Sequence, residues 1–271
     1  MSHIIDLQWP QEGVALLTFS DPKRQNQLCW AAADELGETL ARCREEGARV
    51  VVLASALEGH WLGHAWLQDL LDGVDGKPQT GTGAGFFTAP QELAHSAMIS
   101  IAAVTGDTAG GGAEIGWSCD IRIAEEQARF SQPEINVGLT TGIGGASRLA
   151  RLIGRGPATE MVVTGRPQTA RRLFELGAVA QVVPRGQGLA AALALAGAIA
   201  KKSPEALAGF KRMFAANDAA QLQEELRQEQ EVFQSVVATD SALREMRRVQ
   251  AAYDAGATTA EISDYDRWLN D

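Results

Sequence analysis

In Gly106-Asp107-Thr108-Ala109-Gly110-Gly111-Gly112-Ala113-Glu114-Ile115-Gly116-Trp117-Ser118-Cys119-Asp120, three consecutive glycines run into a glutamate that opens an apolar, helix-compatible run. An apolar strand, Ile99–Val104, leads into this stretch, and a short one, residues 121–124, leaves it. Strand, glycine turn, helix, strand is the grammar of an α/β protein. Glycines carry no Cβ, so the backbone there can approach a ligand or a second backbone closely. The first N–H groups of a helix have no internal partner and point at whatever lies above them. A second acidic signature, Ser131-Gln132-Pro133-Glu134, follows twenty positions on (134 − 114). Two readings are open for this segment alone. One is a packing turn with a glutamate that favours the helix dipole. The other is a donor cradle flanked by two carboxyls that handle protons.

The same alternation extends in both directions. Residues 14–19 read as a buried strand, and residues 50–54 are apolar on both faces, which suits a strand of a parallel sheet. Residues 31–46 carry helical periodicity through Leu36, Leu40 and Cys43. A Gly- and Thr-containing loop spans 73–85, and a helix is expected near 90–97. Residues 148–153, 157–164 and 169–176 read as helices, the last stopped by Gly177. Residues 178–183 read as a late strand. The alanine-rich run 188–200 ends at Lys201-Lys202, is too short to span a bilayer and suits a buried helix. From Pro204 the chain reads as helix throughout, which places a boundary near 203 between an α/β core and a helical tail.

Composition narrows the function classes. A formal charge of −10 over 271 residues opposes non-specific binding to nucleic acid or anionic membrane, both of which need a basic footprint. Cys29, Cys43 and Cys119 show no metal-ligand spacing, as expected of a reduced, cytoplasmic protein. No secretory pattern marks the N-terminus. His60 and His64 are four apart, but Gly63 lies between them and no third ligand is evident, so no metal is expected.

With these motifs in order, the chain resembles the crotonase family of enoyl-CoA hydratases and isomerases. The resemblance rests on residues 102–106, Gly110-Gly111-Gly112-Ala113-Glu114, Cys119-Asp120-Ile121-Arg122-Ile123-Ala124, Phe130-Ser131-Gln132-Pro133-Glu134 and Gly142-Ile143-Gly144-Gly145 with Arg148-Leu149. It continues through residues 178–184 and Ser203-Pro204-Glu205-Ala206 with Lys211, and so covers most of 14–214. It implies an α/β spiral of ββα turns over residues 1–203 and a C-terminal helical segment, 204–271, that builds homotrimers, often paired into hexamers. It implies an acyl-CoA substrate, with coenzyme A entering as part of the substrate and no separate cofactor, no metal, no nucleic acid and no membrane partner.

By the resemblance, Glu114 holds or activates water and Glu134 protonates the α-carbon of a 2-enoyl thioester. A partly dry pocket raises a carboxyl toward neutrality, where it serves as acid or base. Backbone N–H groups of Gly111 and His64 would form the oxyanion hole, with Gly110, Ala65 and Trp66 beside the substrate. Lys23 and Arg24 are candidates for CoA phosphates, the alternative being a solvated charged loop. Three departures from the family pattern stand out. Leu62-Gly63-His64-Ala65-Trp66 occupies the place of Ala-Gly-Ala-Asp-Leu, Thr141 replaces a proline, and the usual tail motif is missing from 240–253. His64 is read as a catalytic, substrate-shaping or packed side chain. Trp61 and Trp66 are expected to line the acyl pocket or pack. Phe233 is expected to reach a neighbour's adenine site or to pack on its helix. Hydration of a 2-enoyl-CoA is the first expectation. The alternatives are an isomerase or C–C bond hydrolase using the same cradle, or an inactive scaffold.

Overall fold

The computed structural model describes residues 3–216 and 219–264; residues 265–271, part of the expected helical tail, lie outside the described residues. In chain order the elements are β1 (Ile5–Gln11), β2 (Val14–Phe19), α1 (Trp30–Glu45), β3 (Val50–Ser55), β4 (Gly59–His60), α2 (Leu67–Val74), α3 (Gly85–His95), β5 (Ile99–Val104) and β6 (Gly106–Ala109). They continue with α4 (Gly111–Ser118), β7 (Ile121–Glu125), β8 (Arg129–Ser131), a 3-10 turn Glu134–Val137, α5 (Ser147–Ile153), α6 (Arg155–Thr164), β9 (Gln168–Thr169) and α7 (Ala170–Glu175). Last come β10 (Gln181–Val183), α8 (Gly188–Ala200), α9 (Pro204–Ala216), α10 (Ala219–Val237), α11 (Asp240–Asp254) and α12 (Thr259–Ile262).

The larger sheet runs β1-β2-β3-β5-β7-β10, antiparallel only between β1 and β2. The smaller runs β4-β6-β8-β9. From β3 to β8 each turn of chain lays one strand in the large sheet, one in the small sheet, and then one or two helices; β9 and β10 follow in the small and the large sheet with α7 between them. That is the spiral of ββα turns the resemblance implies. The register Val14↔Val50↔Ile99 keeps alternate side chains in line across the large sheet. Ala15, Leu17, Val51, Leu53, Ala102 and Val104 therefore face the main core. Val14, Leu16, Val50, Val52, Ile101 and Ala103 face α8, whose Ala192, Ala196 and Ala200 bring the helix in close. Strands buried on both faces have no polar alternation, and the sequence shows none. α8 is apolar all round but buries only one face, so the expected buried helix is corrected to a one-sided cover on the sheet.

Several boundaries differ from expectation. β1, which the sequence reading passed over, is an edge strand, mostly exposed and broken by Pro10, in which Ile5, Leu7 and Trp9 alternate with Asp6, Gln8 and Pro10. The helix expected at 90–97 begins at Gly85 and encloses Pro90. Its start is fixed from a distance, because Asp34 of α1 accepts from the N–H groups of Thr82, Gly83 and Gly85. α2 was not anticipated. The late strand shortens to β10, because the Ala178 carbonyl accepts from the buried Arg122 guanidinium and Ala178 N bonds Leu173 O. Gly177 does sit at positive φ (90°), where it ends α7.

The helices after Pro204 fold back on the core. In α9, the Lys211 ammonium donates to Leu93 O (2.6 Å) and pairs with Asp120. α11 packs Ala242, Met246 and Val249 on Leu67 and Leu71 of α2 and on Val137 and Leu139. Among the described residues, no helix is long and apolar enough to cross a membrane.

Candidate active site

The glycine stretch works as a backbone junction. A Cβ at Gly112 would lie 2.2 Å from the Leu62 carbonyl oxygen, and one at Gly106 would lie 2.3 Å from the carbonyl carbon of Gly59. Gly112 N donates to Gly63 O (3.0 Å) and Thr108 Oγ1 to Leu62 O (2.8 Å). Gly110 adopts φ 50°, ψ −127°, a conformation costly for any other residue. Only with these glycines can segment 62–65 lie against the start of α4. Its other side is pinned by Leu28, whose N–H donates to His64 O and whose carbonyl accepts from Trp66 N, both at 2.9 Å. Asn26 supports the same loop by donating to Trp61 O (3.0 Å) and accepting from Asp21 N (2.7 Å).

Pairing of His64 and Trp66 with Leu28 turns the intervening Ala65 N–H the other way, toward α4. A Cβ at Gly111 would lie 3.5 Å from Ala65 N. The N–H groups of His64, Ala65 and Gly111 make no hydrogen bond among the described residues. Unpaired backbone donors at a helix start suit an anionic oxygen.

Glu114 lies in the first turn of α4 and is buried. Its Oε1 accepts from Gly142 N (3.2 Å), Ile143 N (2.9 Å) and Gly145 N (2.7 Å). Burial, and next the Glu229 charge, push its pKa up to about 7, against the pull of those three donors. Glu134 opens the 3-10 turn, and its Oε1 lies 3.2 Å from where a Gly110 Cβ would be. Its Oε2 is enclosed without a hydrogen-bond partner among the described residues. Burial, and next the Glu114 charge, hold its pKa well above the ordinary carboxylate range. Glu114 and Glu134 face one cavity of about 310 Å³, with Gly111, His64 and Ala65 in its lining. Apolar walls come from Trp30, Phe86, Leu139, Ile143 and Phe233.

His64 is buried, and burial lowers its pKa. Its Nδ1 lies 2.7 Å from Ala65 O; a carbonyl only accepts, so Nδ1 carries the proton and Nε2 the lone pair. The ring rests against Tyr253, centroids 4.9 Å apart, and Nε2 has no partner. Burial pushes the Tyr253 hydroxyl up to about 12, and that hydroxyl meets Thr259 Oγ1 at 3.0 Å.

The remaining expected residues sit apart from this cavity. Lys23 is exposed on the 3-10 turn Pro22–Arg24. Arg24 is paired with Asp21 (2.9 Å), and its guanidinium lies 4.5 Å over the Trp66 ring. Trp66 is thus half-buried under Arg24 and is absent from the cavity lining, as are Lys23, Arg24 and Gly110. Trp61 is a core residue packed beneath Gly116. Phe233 packs against Gly142 and closes the cavity of its own chain. Sequence reasoning missed Glu229, Trp30 and Tyr253. Among them only Glu229 had a signal, as one glutamate in a Gln- and Glu-rich helix.

Two buried carboxyls of raised proton affinity, one apolar cavity and unpaired backbone donors equip this α/β spiral for proton transfer on a bound ligand. Residues 10–250 match the enoyl-CoA hydratase/isomerase family. The chain is 33% identical over 242 residues to a probable enoyl-CoA hydratase of Rhizobium meliloti (strain 1021), covering 89% of this chain and 92% of the relative. It is 31% identical over 236 residues to the 2,3-dehydroadipyl-CoA hydratase of Escherichia coli (strain K12), covering 85% and 89%. The solved enoyl-CoA hydratase of Bacillus halodurans superposes with a TM-score of 0.81 at 20% identity, over 91% of this chain and 100% of that one. This chain belongs to the enoyl-CoA hydratase/isomerase family, and its fold is the crotonase fold.

Proposed function

We propose that the protein adds water across the double bond of a 2-enoyl-CoA thioester. The observation that carries this reading is the unequal hydrogen bonding of the two buried carboxyls. Three N–H donors converge on Glu114 Oε1 and stabilise its anion, whereas Glu134 Oε2 has none. With both carboxyls held up by burial, Glu114 next by the Glu229 charge and Glu134 next by the Glu114 charge, the proton rests on Glu134. That distribution is the one hydration requires. Anionic Glu114 takes a proton from water as its oxygen bonds to the β-carbon. The double-bond electrons move onto the thioester oxygen, and the N–H groups of Gly111 and of His64 or adjacent Ala65 hold the enolate. Glu134 then delivers its proton to the α-carbon. One water is consumed, and the proton passes from Glu114 back to Glu134 through solvent.

Support also comes from the hydratase relatives, which match along nearly the whole chain. Glu114→Gln and Glu134→Gln should each lower kcat for hydration by roughly 10²–10⁴-fold while thioester binding persists. In the wild type, activity falls on the acid side as Glu114 gains a proton near its pKa of about 7, and on the alkaline side as Glu134 loses its own. Full hydration by the Glu114 variant would refute the assignment and favour a one-carboxylate isomerisation.

A further inference from the structure

The loop after Thr140 is gripped from two sides by two carboxylates, and the hydratase reading uses only one of them. Six successive backbone N–H groups, Gly142 to Ser147, divide between Glu114 and Glu229. Those of Gly142, Ile143 and Gly145 point to Glu114 Oε1. Those of Gly144 (3.1 Å) and Ala146 (3.3 Å) point to Glu229 Oε1, and that of Ser147 (3.1 Å) to Glu229 Oε2. Both hydroxyls at the loop's ends, Thr141 Oγ1 and Ser147 Oγ, also donate to Glu229. Glu229 is buried on α10, one residue before Gln230, which lines the cavity, and one helical turn before Phe233.

We propose that Glu229 is a positioning residue for the Glu114 carboxylate: it fixes the 141–147 loop so that three of the loop's N–H groups converge on Glu114. The inference rests on the hydratase reading for its kinetic consequence and on geometry alone for the rest. A glycine-rich loop has no conformation of its own strong enough to aim three donors at one oxygen. Five donors from Thr141, Gly144, Ala146 and Ser147 anchor the loop on Glu229 and leave Gly142, Ile143 and Gly145 facing Glu114. Thr141 stands where the family pattern has proline, and its hydroxyl links the two ends of the loop by also accepting from Ala146 N (3.1 Å). α10 thereby supplies the cavity wall and the aim of the base together, and the site is complete only when this helix is docked.

Charge adds a second effect. The groups facing Glu229 are Glu114 and Glu134 across the loop and buried Arg148 of α5, while Arg151 of α5 is engaged by Glu225. The negative charge of Glu229 strengthens the proton affinity of Glu114, and its hydrogen-bonding role secures the donors that weaken it. The two effects separate in different substitutions. Glu229→Gln removes the charge and keeps one acceptor oxygen, whereas Glu229→Ala removes both.

The test is a carbon-13 NMR titration of glutamate-labelled full-length protein, wild type, Glu229→Gln and Glu229→Ala, with Glu114→Gln identifying the Glu114 signal. In Glu229→Gln, Glu114 is expected to bind its proton about tenfold more weakly, and the acid limb of hydration should move to lower pH with it. In Glu229→Ala, kcat should drop about tenfold or more with KM little changed, and Glu229→Gln should retain more activity than Glu229→Ala. An unchanged Glu114 titration in Glu229→Gln overturns the proposal. So does a loss of activity in Glu229→Ala that only follows its folded fraction. Should the wild type hydrate no thioester, the hydratase reading fails while the titration still decides the role of Glu229. Should Glu229→Ala not fold, the Glu229→Gln titration decides it.

Discussion

His64 stands in the 62–66 loop that the sequence reading marked as a departure from the family pattern, and its environment defines what the imidazole does. The ring is buried, packed on Gly110 and Tyr253, with Nδ1–H spent on the Ala65 carbonyl. Burial disfavours its charged form, so the ring is neutral at physiological pH. In the proposed hydration this segment would act through main-chain N–H groups, which survive a change of side chain. His64→Ala, which restores the family's usual residue, should leave kcat for hydration within about fivefold of wild type and lower KM for bulkier acyl groups. Steady-state kinetics over a chain-length series reads this directly. A hundredfold fall in kcat would make the imidazole a participant in the chemistry.

At the scale of elements, the site is a meeting of three segments that owe their shape to one another. Residues 62–65 lie against α4 because Gly112 has no side chain, and the 141–147 loop is shaped between α4 and α10. Thr141→Val removes a buried hydroxyl that both donates and accepts there, and should cost about 1–3 kcal/mol in urea unfolding. No change in unfolding midpoint would show that the hydroxyl is dispensable to the loop. Much of this was legible in the sequence. Residues 50–54 announced a buried parallel strand, because a strand covered on both faces is apolar at every position. Glu114 and Glu134 were marked by the glycines and the Gln-Pro pair before them. β1 was legible in the alternation of Ile5, Leu7 and Trp9 with Asp6 and Gln8 but was passed over, whereas the start of α3 was hidden because its cap, Asp34, lies far away in the chain. Glu229 was hidden for a related reason. Periodicity shows that α10 is amphipathic, but nothing local tells an inward glutamate from Glu224, Glu225 or Glu231.

For the whole molecule, the site carries a cost to stability. A carboxyl whose pKa rises on folding holds its proton more tightly in the native state. Stability then falls as pH climbs from the ordinary carboxylate range toward the native pKa. Glu134 shifts in that direction, so Glu134→Gln should melt above the wild type at neutral pH, by a margin that widens as pH climbs above the ordinary carboxylate range. Calorimetry over a series of pH values checks it, and a margin that narrows with pH would contradict the burial of Glu134. The account as a whole holds that two buried carboxyls of unequal proton affinity add water to an enoyl thioester. Its most direct test is the ultraviolet absorbance of the conjugated thioester, followed with purified protein on crotonyl-CoA and longer 2-enoyl-CoAs. Rapid loss of absorbance, with a product heavier by one water and identified as the 3-hydroxyacyl-CoA, is the predicted result. Absorbance that holds steady on every chain length, with the protein folded and the thioester bound, would contradict it.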